Sequence, residues 1–171
     1  RDRAKLGLRP EAYDEGALSY AAAISSTGDL GARGAIDLIR IGGEIAEEED
    51  SPKLTEEHVR KAVPKLEKMR TLELLKVLSP VRIAIIAHIV SKGRAKVSDI
   101  VKDLEETKAG GQHLRLGERL LRYHLSALRD MGVIVMQRRG RGRGRGIENR
   151  IYLNPNMEEH LRWALKHLKG A

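Results

Sequence analysis

At Val133 the periodicity of the chain changes. The stretch "VIVMQRRGRGRGRGIENRIYL" (Val133–Leu153) sets arginines, several of them alternating with glycine, between two apolar flanks rich in β-branched residues. Val133–Met136 favours a strand, and Asn149–Leu153 is its natural antiparallel partner. The Arg/Gly run then becomes the loop of a hairpin. Before and after this stretch the pattern is helical, so the hairpin has to be carried by a helical body.

That body can be read from its punctuation. In "LSPVRIAIIAHIVSKG" (Leu78–Gly93), Ser79 is in N-cap position, Pro80 suits the first helical position, and Gly93 stops the helix. "KVSDIVKDLEETK" (Lys96–Lys108) reads as a second helix, broken by Gly110–Gly111. "GERLLRYHLSALRDMG" (Gly117–Gly132) reads as a third, with Gly132 as its C-cap. After the hairpin, "NPNMEEHLRWALKHL" (Asn154–Leu168) is amphipathic, and Asn156 with Glu159 suggests a capping box. Three helices, a hairpin and a last helix make a winged-helix arrangement, with the hairpin as the wing.

The N-terminal part has no strand signal. "RDRAKLGL" (Arg1–Leu8) reads as the end of a helix without a start, and Arg9–Pro10 breaks it. Helices are expected over Glu11–Ser26, over Ala32–Asp50 with Ile36, Ile39 and Ile45 near one face, and from Thr55, an N-cap followed by Glu56 and Glu57. Pro64 should kink or end that last helix. The fold class is therefore mainly α, with domains over residues 1–74 and 75–171.

Charge supports the division. Residues 1–74 hold 12 Lys/Arg against 15 Asp/Glu, and residues 75–171 hold 20 against 9, within a chain of formal net charge +8. A strongly basic module points to a polyanionic partner. With no Phe and 3% aromatics, the cores must be Leu, Ile, Val and Ala. The absence of cysteine excludes disulfides and Cys-based zinc sites. The most apolar run, Ile83–Val90, is too short to span a bilayer, so a soluble cytoplasmic, nucleoid-associated protein without membrane contact is expected.

The third helix of the basic module carries the candidate interface. At 100° per residue, Leu120, Leu121, His124, Leu125, Leu128 and Met131 form the face expected to bury. Arg119, Arg122, Ser126 and Arg129 fall on one stripe, with Tyr123 beside them and Arg115 just before. Arginine can bridge two acceptors on a guanine edge, and Ser and Tyr can reach phosphates or bases, so the stripe suits a major groove. The wing adds Arg138, Arg139, Arg141, Arg143, Arg145 and Arg150, against Glu148 alone. A narrow minor groove attracts inserted arginine.

Other chemistry finds no support. The alternating glycines fail a G-x-G-x-x-G match at Arg145, and no helix follows to receive a phosphate. The six histidines lack metal-ligand spacing, so no metal site is expected. His88 and His124 read as satisfied core or boundary histidines, the carboxylates of Glu44–Ser51 as a solvated helix end, and Trp163 as an anchor for the last helix. There is no P-loop and no G-x-S-x-G, so no catalysis by this chain is expected.

"STGDLGARGAIDLIRIGGEIAEEEDSPKLTEEHVRKAVPKLE" (Ser26–Glu67) resembles the helical lid of archaeal origin-recognition proteins. These are AAA+ replication initiators related to the eukaryotic origin recognition complex and the cell-division-control loaders. In that family a winged helix follows the lid, as here. The resemblance implies duplex DNA at replication origins as the partner, with further initiator molecules or the replicative helicase as additional ones. It implies a second-sensor role for Arg33 towards ATP or ADP with magnesium in an intact parent, and no cofactor for this chain. It implies also that a nucleotide-binding core precedes residue 1 and that the chain is a fragment cut inside the lid's first helix. A winged-helix transcription regulator, and an RNA- or protein-interaction module, are the alternatives; the fold itself does not separate them.

Overall fold

The computed structural model describes residues 7–27, 30–106, 108–109, 112–113, 117–140 and 147–168. The chain divides into two compact units, Arg1–Arg70 and Thr71–Ala171. The expected end of a helix in Arg1–Leu8 lies largely outside the described residues.

The first unit is helical, as expected. A 3-10 turn at Pro10–Ala12 precedes α1 (Glu15–Thr27), so the helix begins four residues later than its Ala-rich composition suggests. The reason is a cap. Asp14 Oδ1 accepts the Ala17 amide at 2.7 Å, while Tyr13 bridges to Leu54. α2 (Gly31–Glu48) buries Leu38, Ile41 and Ile45 against Ala17, Ala21, Val59, Ala62 and Leu66. Ile36, expected to share a face with Ile39 and Ile45, is 48% exposed while Ile45 is buried. The buried stripe runs through Gly34, Leu38, Ile41 and Ile45, at helical spacing, and Ile36 falls outside it.

α3 (Glu56–Val77), whose residues from Thr71 on fall in the second unit, bears on the expectation that Pro64 kinks or ends its helix. It runs on through Pro64 without ending there. Pro64 is exposed, and the apolar residues around it, Val59, Ala62 and Leu66, are buried in one core, which outweighs one missing backbone bond. Thr55 is at the N-terminus as expected, but its capping partner is His58. The ring Nδ1 accepts the Thr55 amide at 3.0 Å, the place a Glu or Gln takes in a capping box. The acidic end of α2 is also more than a solvated tail: Glu49 pairs with Lys61 at 2.8 Å, and Glu44 and Glu48 lie 3.8 Å from Lys65.

The second unit has the winged-helix order. α4 (Pro80–Lys92) starts after Ser79, whose side chain makes no cap bond, and ends at Gly93 with φ +72°. α5 (Val97–Glu106) is preceded by a two-residue strand that the sequence did not predict, β1 (Ala95–Lys96). Short strands β2 (Lys108–Ala109) and β3 (Gln112–His113) pair across Gly110–Gly111. α6 (Glu118–Asp130), β4 (Ile134–Gly140), β5 (Ile147–Leu153) and α7 (Glu158–Leu168) complete the unit. The sheet order is β1-β5-β4, all antiparallel. Its inner face presents Ile134, Ile151 and Leu153 to Ile85, Ile86, Ile89, Leu121, Leu125, Leu128 and Leu161. α7 begins at Glu158, which leaves Asn156 outside a cap position; Asn154 makes the turn, its Oδ1 accepting the Asn156 amide at 3.1 Å.

Candidate nucleic-acid interface

The orientation of α6 is set at both ends. Its inner face, Leu121, Leu125 and Leu128, is fully buried. Its C-terminus closes in a Schellman turn: the Val133 amide reaches the Leu128 carbonyl and the Gly132 amide reaches that of Arg129, each at 2.9 Å. Met131 holds the C-cap position and Gly132, with φ +72°, the left-handed position after it, one residue from where the sequence placed the cap. Asn154 Nδ2 then donates to the Gly132 carbonyl at 2.8 Å, tying the end of α6 to the end of β5.

Two residues expected to bury on α6 do not. Leu120 is 48% and Met131 44% exposed, because the core occupies a narrower arc centred on Leu121, Leu125 and Leu128. His124 lies at the edge of that arc. Burial, with Arg82 nearby, lowers its pKa from the usual histidine value, and its Nδ1 is buried without a hydrogen-bond partner among the described residues, so it is a boundary histidine but not the satisfied one expected.

The outward stripe carries Arg119, Arg122 and Arg129 exposed, Ser126 half-buried and Tyr123 at 62% exposure. Arg122 donates to Glu118 at 2.5 Å, one turn earlier, and Arg129 to Asp130 at 2.8 Å and Ser126 Oγ at 3.1 Å. These exposed pairs are weak and yield readily to a stronger acceptor such as phosphate. Arg119 makes no ion pair among the described residues.

The wing strands run from Ile134↔Leu153 out to Gly140↔Ile147. Arg138 is exposed opposite Asn149, and Arg150 is half-buried, opposite Gln137 in one direction and Lys96 in the other. Arg139 is in β4 opposite Glu148. Arg115, Arg141, Arg143 and Arg145 lie outside the described residues. Sequence reasoning missed a set of cations away from both elements, Lys92, Arg94, Lys96 and Lys102, which line polar recesses beside Arg150. Lys92, Arg94, Lys96 and Lys102 are near one another in sequence, but only tertiary structure brings Arg150 beside them.

In the first unit, Arg33 is exposed in the first turn of α2. His88 is buried and its Nδ1 stands 2.7 Å from Asp103, and Trp163 packs on the core while stacking on His167 at 4.1 Å, both in the structural roles expected of them. Among the described residues no group of three His, Cys, Asp or Glu is placed to hold a metal ion, and no helix is long and apolar enough to cross a membrane.

Residues 1–63 match the family profile of the Cdc6 AAA+ ATPase-type lid domain. An ORC1-type DNA replication protein of Desulfurococcus amylolyticus is 29% identical over 182 residues, covering 99% of this chain and 44% of the relative. ORC1-type DNA replication protein 15 of Haloarcula marismortui is 32% identical over 137 residues, covering 77% of this chain and 34% of the relative. The chain thus spans less than half the length of these relatives. In structure it is similar to the Aeropyrum pernix ORC1 protein, solved in complex with DNA, with a TM-score of 0.71 and 26% identity over 93% of this chain and 42% of that one.

Proposed function

Because the chain belongs to the ORC1/Cdc6-type family of DNA replication proteins, of which it carries the lid and C-terminal part, we propose that it binds duplex DNA at replication origins through its second unit. The observation that carries this is the outward stripe of α6, where Arg119, Arg122, Tyr123, Ser126 and Arg129 stand on a helix whose inner face is locked into the core. α6 enters the major groove, where arginine pairs with guanine acceptors and the other polar groups take phosphates. The wing follows the adjacent minor groove with Arg138, Arg139, Arg141, Arg143, Arg145 and Arg150. The A. pernix relative's complex with DNA supports the partner class.

The first unit contributes one polyphosphate-directed group. Arg33 is an exposed cation in the first turn of a helix, with no ion pair among the described residues, which fits a role as second sensor. It would meet ATP or ADP with magnesium where a nucleotide-binding core is joined to the lid. The matched region is the lid and C-terminal part, not that core, and we assign no reaction to it. Further initiator molecules and the replicative helicase are the protein partners this reading names.

The test is duplex affinity measured against salt concentration, for the chain and for a variant with Arg141, Arg143 and Arg145 changed to alanine. Each phosphate that an arginine no longer neutralises lowers the log–log slope by about 0.9, so the slope should fall by about 2 to 3 units. An unchanged slope takes the wing off the duplex.

A further inference from the structure

Five cations, Lys92, Arg94, Lys96, Lys102 and Arg150, line two neighbouring polar recesses of about 270 and 440 Å³ on the second unit. Arg94 and Asp99 belong to both recesses, which makes them one cleft. Its walls are the end of α4, the β1 edge of the sheet and the first turns of α5. Two carboxylates enter it. Asp103 stands against the ring of His88 at 2.7 Å, and Asp99 accepts the Ser98 hydroxyl at 3.2 Å.

At Lys92, Arg94 and Lys102 the pairing differs from that of Arg122 and Arg129 on α6, and resembles that of Arg119. Arg122 and Arg129 each have a carboxylate at hydrogen-bond distance. Lys92, Arg94 and Lys102 are exposed and make no ion pair among the described residues, although Asp99 and Asp103 share their cleft. Like charges gathered in a recess raise its potential and concentrate anions there. Filling the cleft with phosphate costs no existing pair at those three positions.

Its place in the fold says which phosphate. β1 is hydrogen-bonded to β5, a wing strand, at Lys96↔Arg150, and the far wing strand lies one strand further on. Two strand spacings are about 10 Å, a distance that a long side chain and a neighbouring phosphate can bridge. α5 is the helix before the outward-facing α6, and it packs against it. In helix-turn-helix docking the helix before the recognition helix crosses the DNA backbone.

We propose that this cleft is a second backbone-binding site, holding phosphates of the same duplex that α6 and the wing engage. The proposal rests on the DNA reading given above. It extends the footprint beyond the recognition helix and wing, through contacts that add affinity and salt dependence without reading sequence.

The experiment compares three forms of the full chain on one duplex across a salt series. They are the parent, Lys92→Ala/Arg94→Ala/Lys102→Ala, and Arg119→Ala/Arg122→Ala. All three cleft positions are exposed, and coincident melting curves by circular dichroism check that the fold is kept. The cleft variant should lose about 2 to 3 units of log–log slope. Asp99→Asn, which removes a carboxylate from the cleft, should instead tighten binding by a few-fold. If the cleft variant keeps the parental slope while the α6 variant loses affinity, the cleft proposal is wrong and the DNA reading stands. If the parent shows no salt-dependent duplex binding, the DNA reading fails and the cleft proposal fails with it.

Discussion

His124 shows how much one residue's surroundings decide. It is one turn before Leu128 on α6, at the border between the fully buried leucines and the exposed stripe. Burial first, and Arg82 second, lower its pKa from the usual value of 6.5. The unfolded chain, with a histidine near 6.5, therefore takes up this proton at higher pH than the folded chain does. Its contribution is complete above about pH 6.5 and is lost as pH falls through the lowered folded value. The melting midpoint of the parent should drop between about pH 7.5 and 5.5, and a His124→Gln variant should drop less; parallel curves would remove His124 as the cause. Glu49, exposed and lowered chiefly by its hydrogen bond to Lys61, titrates further down in the carboxylate range, so the two effects separate along the pH axis. The Thr55–His58 cap is of the same kind: a histidine takes the place of a carboxamide or carboxylate, and the usual S/T-x-x-E/Q signature could not reveal it.

Elements were legible where local signals and tertiary packing agree. The winged-helix order, the antiparallel wing and the stop at Gly93 follow from period, turn residues and the left-handed φ that glycine accepts. β1 was not legible, because two residues carry no period and it exists only by pairing with β5. The cation cleft was not legible for a related reason: Lys92, Arg94 and Lys96 lie close together in sequence but read as an ordinary basic turn, and only the fold brings Lys102 of α5 and Arg150 of β5 beside them. Pro64 does not end its helix, one of the two outcomes its sequence suggests, because burial of Val59, Ala62 and Leu66 on the same helix outweighs one missing backbone bond. The proline's place in the helix has a measurable consequence. Proline in a helix interior costs about 3 kcal/mol relative to alanine, and Pro64 is exposed within α3. Pro64→Ala should therefore stabilise the first unit, by about 1 to 3 kcal/mol in denaturant titration. A loss of stability would mean that the helix is shaped around the proline.

At the largest scale, the two hydrophobic clusters share no residue among the described ones. One is centred on Leu38, Ile41 and Ala62, the other on Ile86, Leu125 and Ile151. Each closes within its own unit, so each is expected to unfold with its own cooperativity. Calorimetry should resolve two transitions. Leu38→Ala, at a fully buried position, should lower one of them by the equivalent of about 2 to 5 kcal/mol and leave the other in place. Duplex DNA adds a second handle, because a ligand raises only the transition of the unit that binds it, by RT ln(1 + [L]/Kd). If the second unit is the one that binds, DNA at about 100 times its Kd should shift the transition that Leu38→Ala does not touch, by about 2.7 kcal/mol. A single transition, lowered as a whole by Leu38→Ala and raised as a whole by DNA, would show that the units fold as one. In that case, binding at the winged helix would be coupled energetically to the lid that carries Arg33.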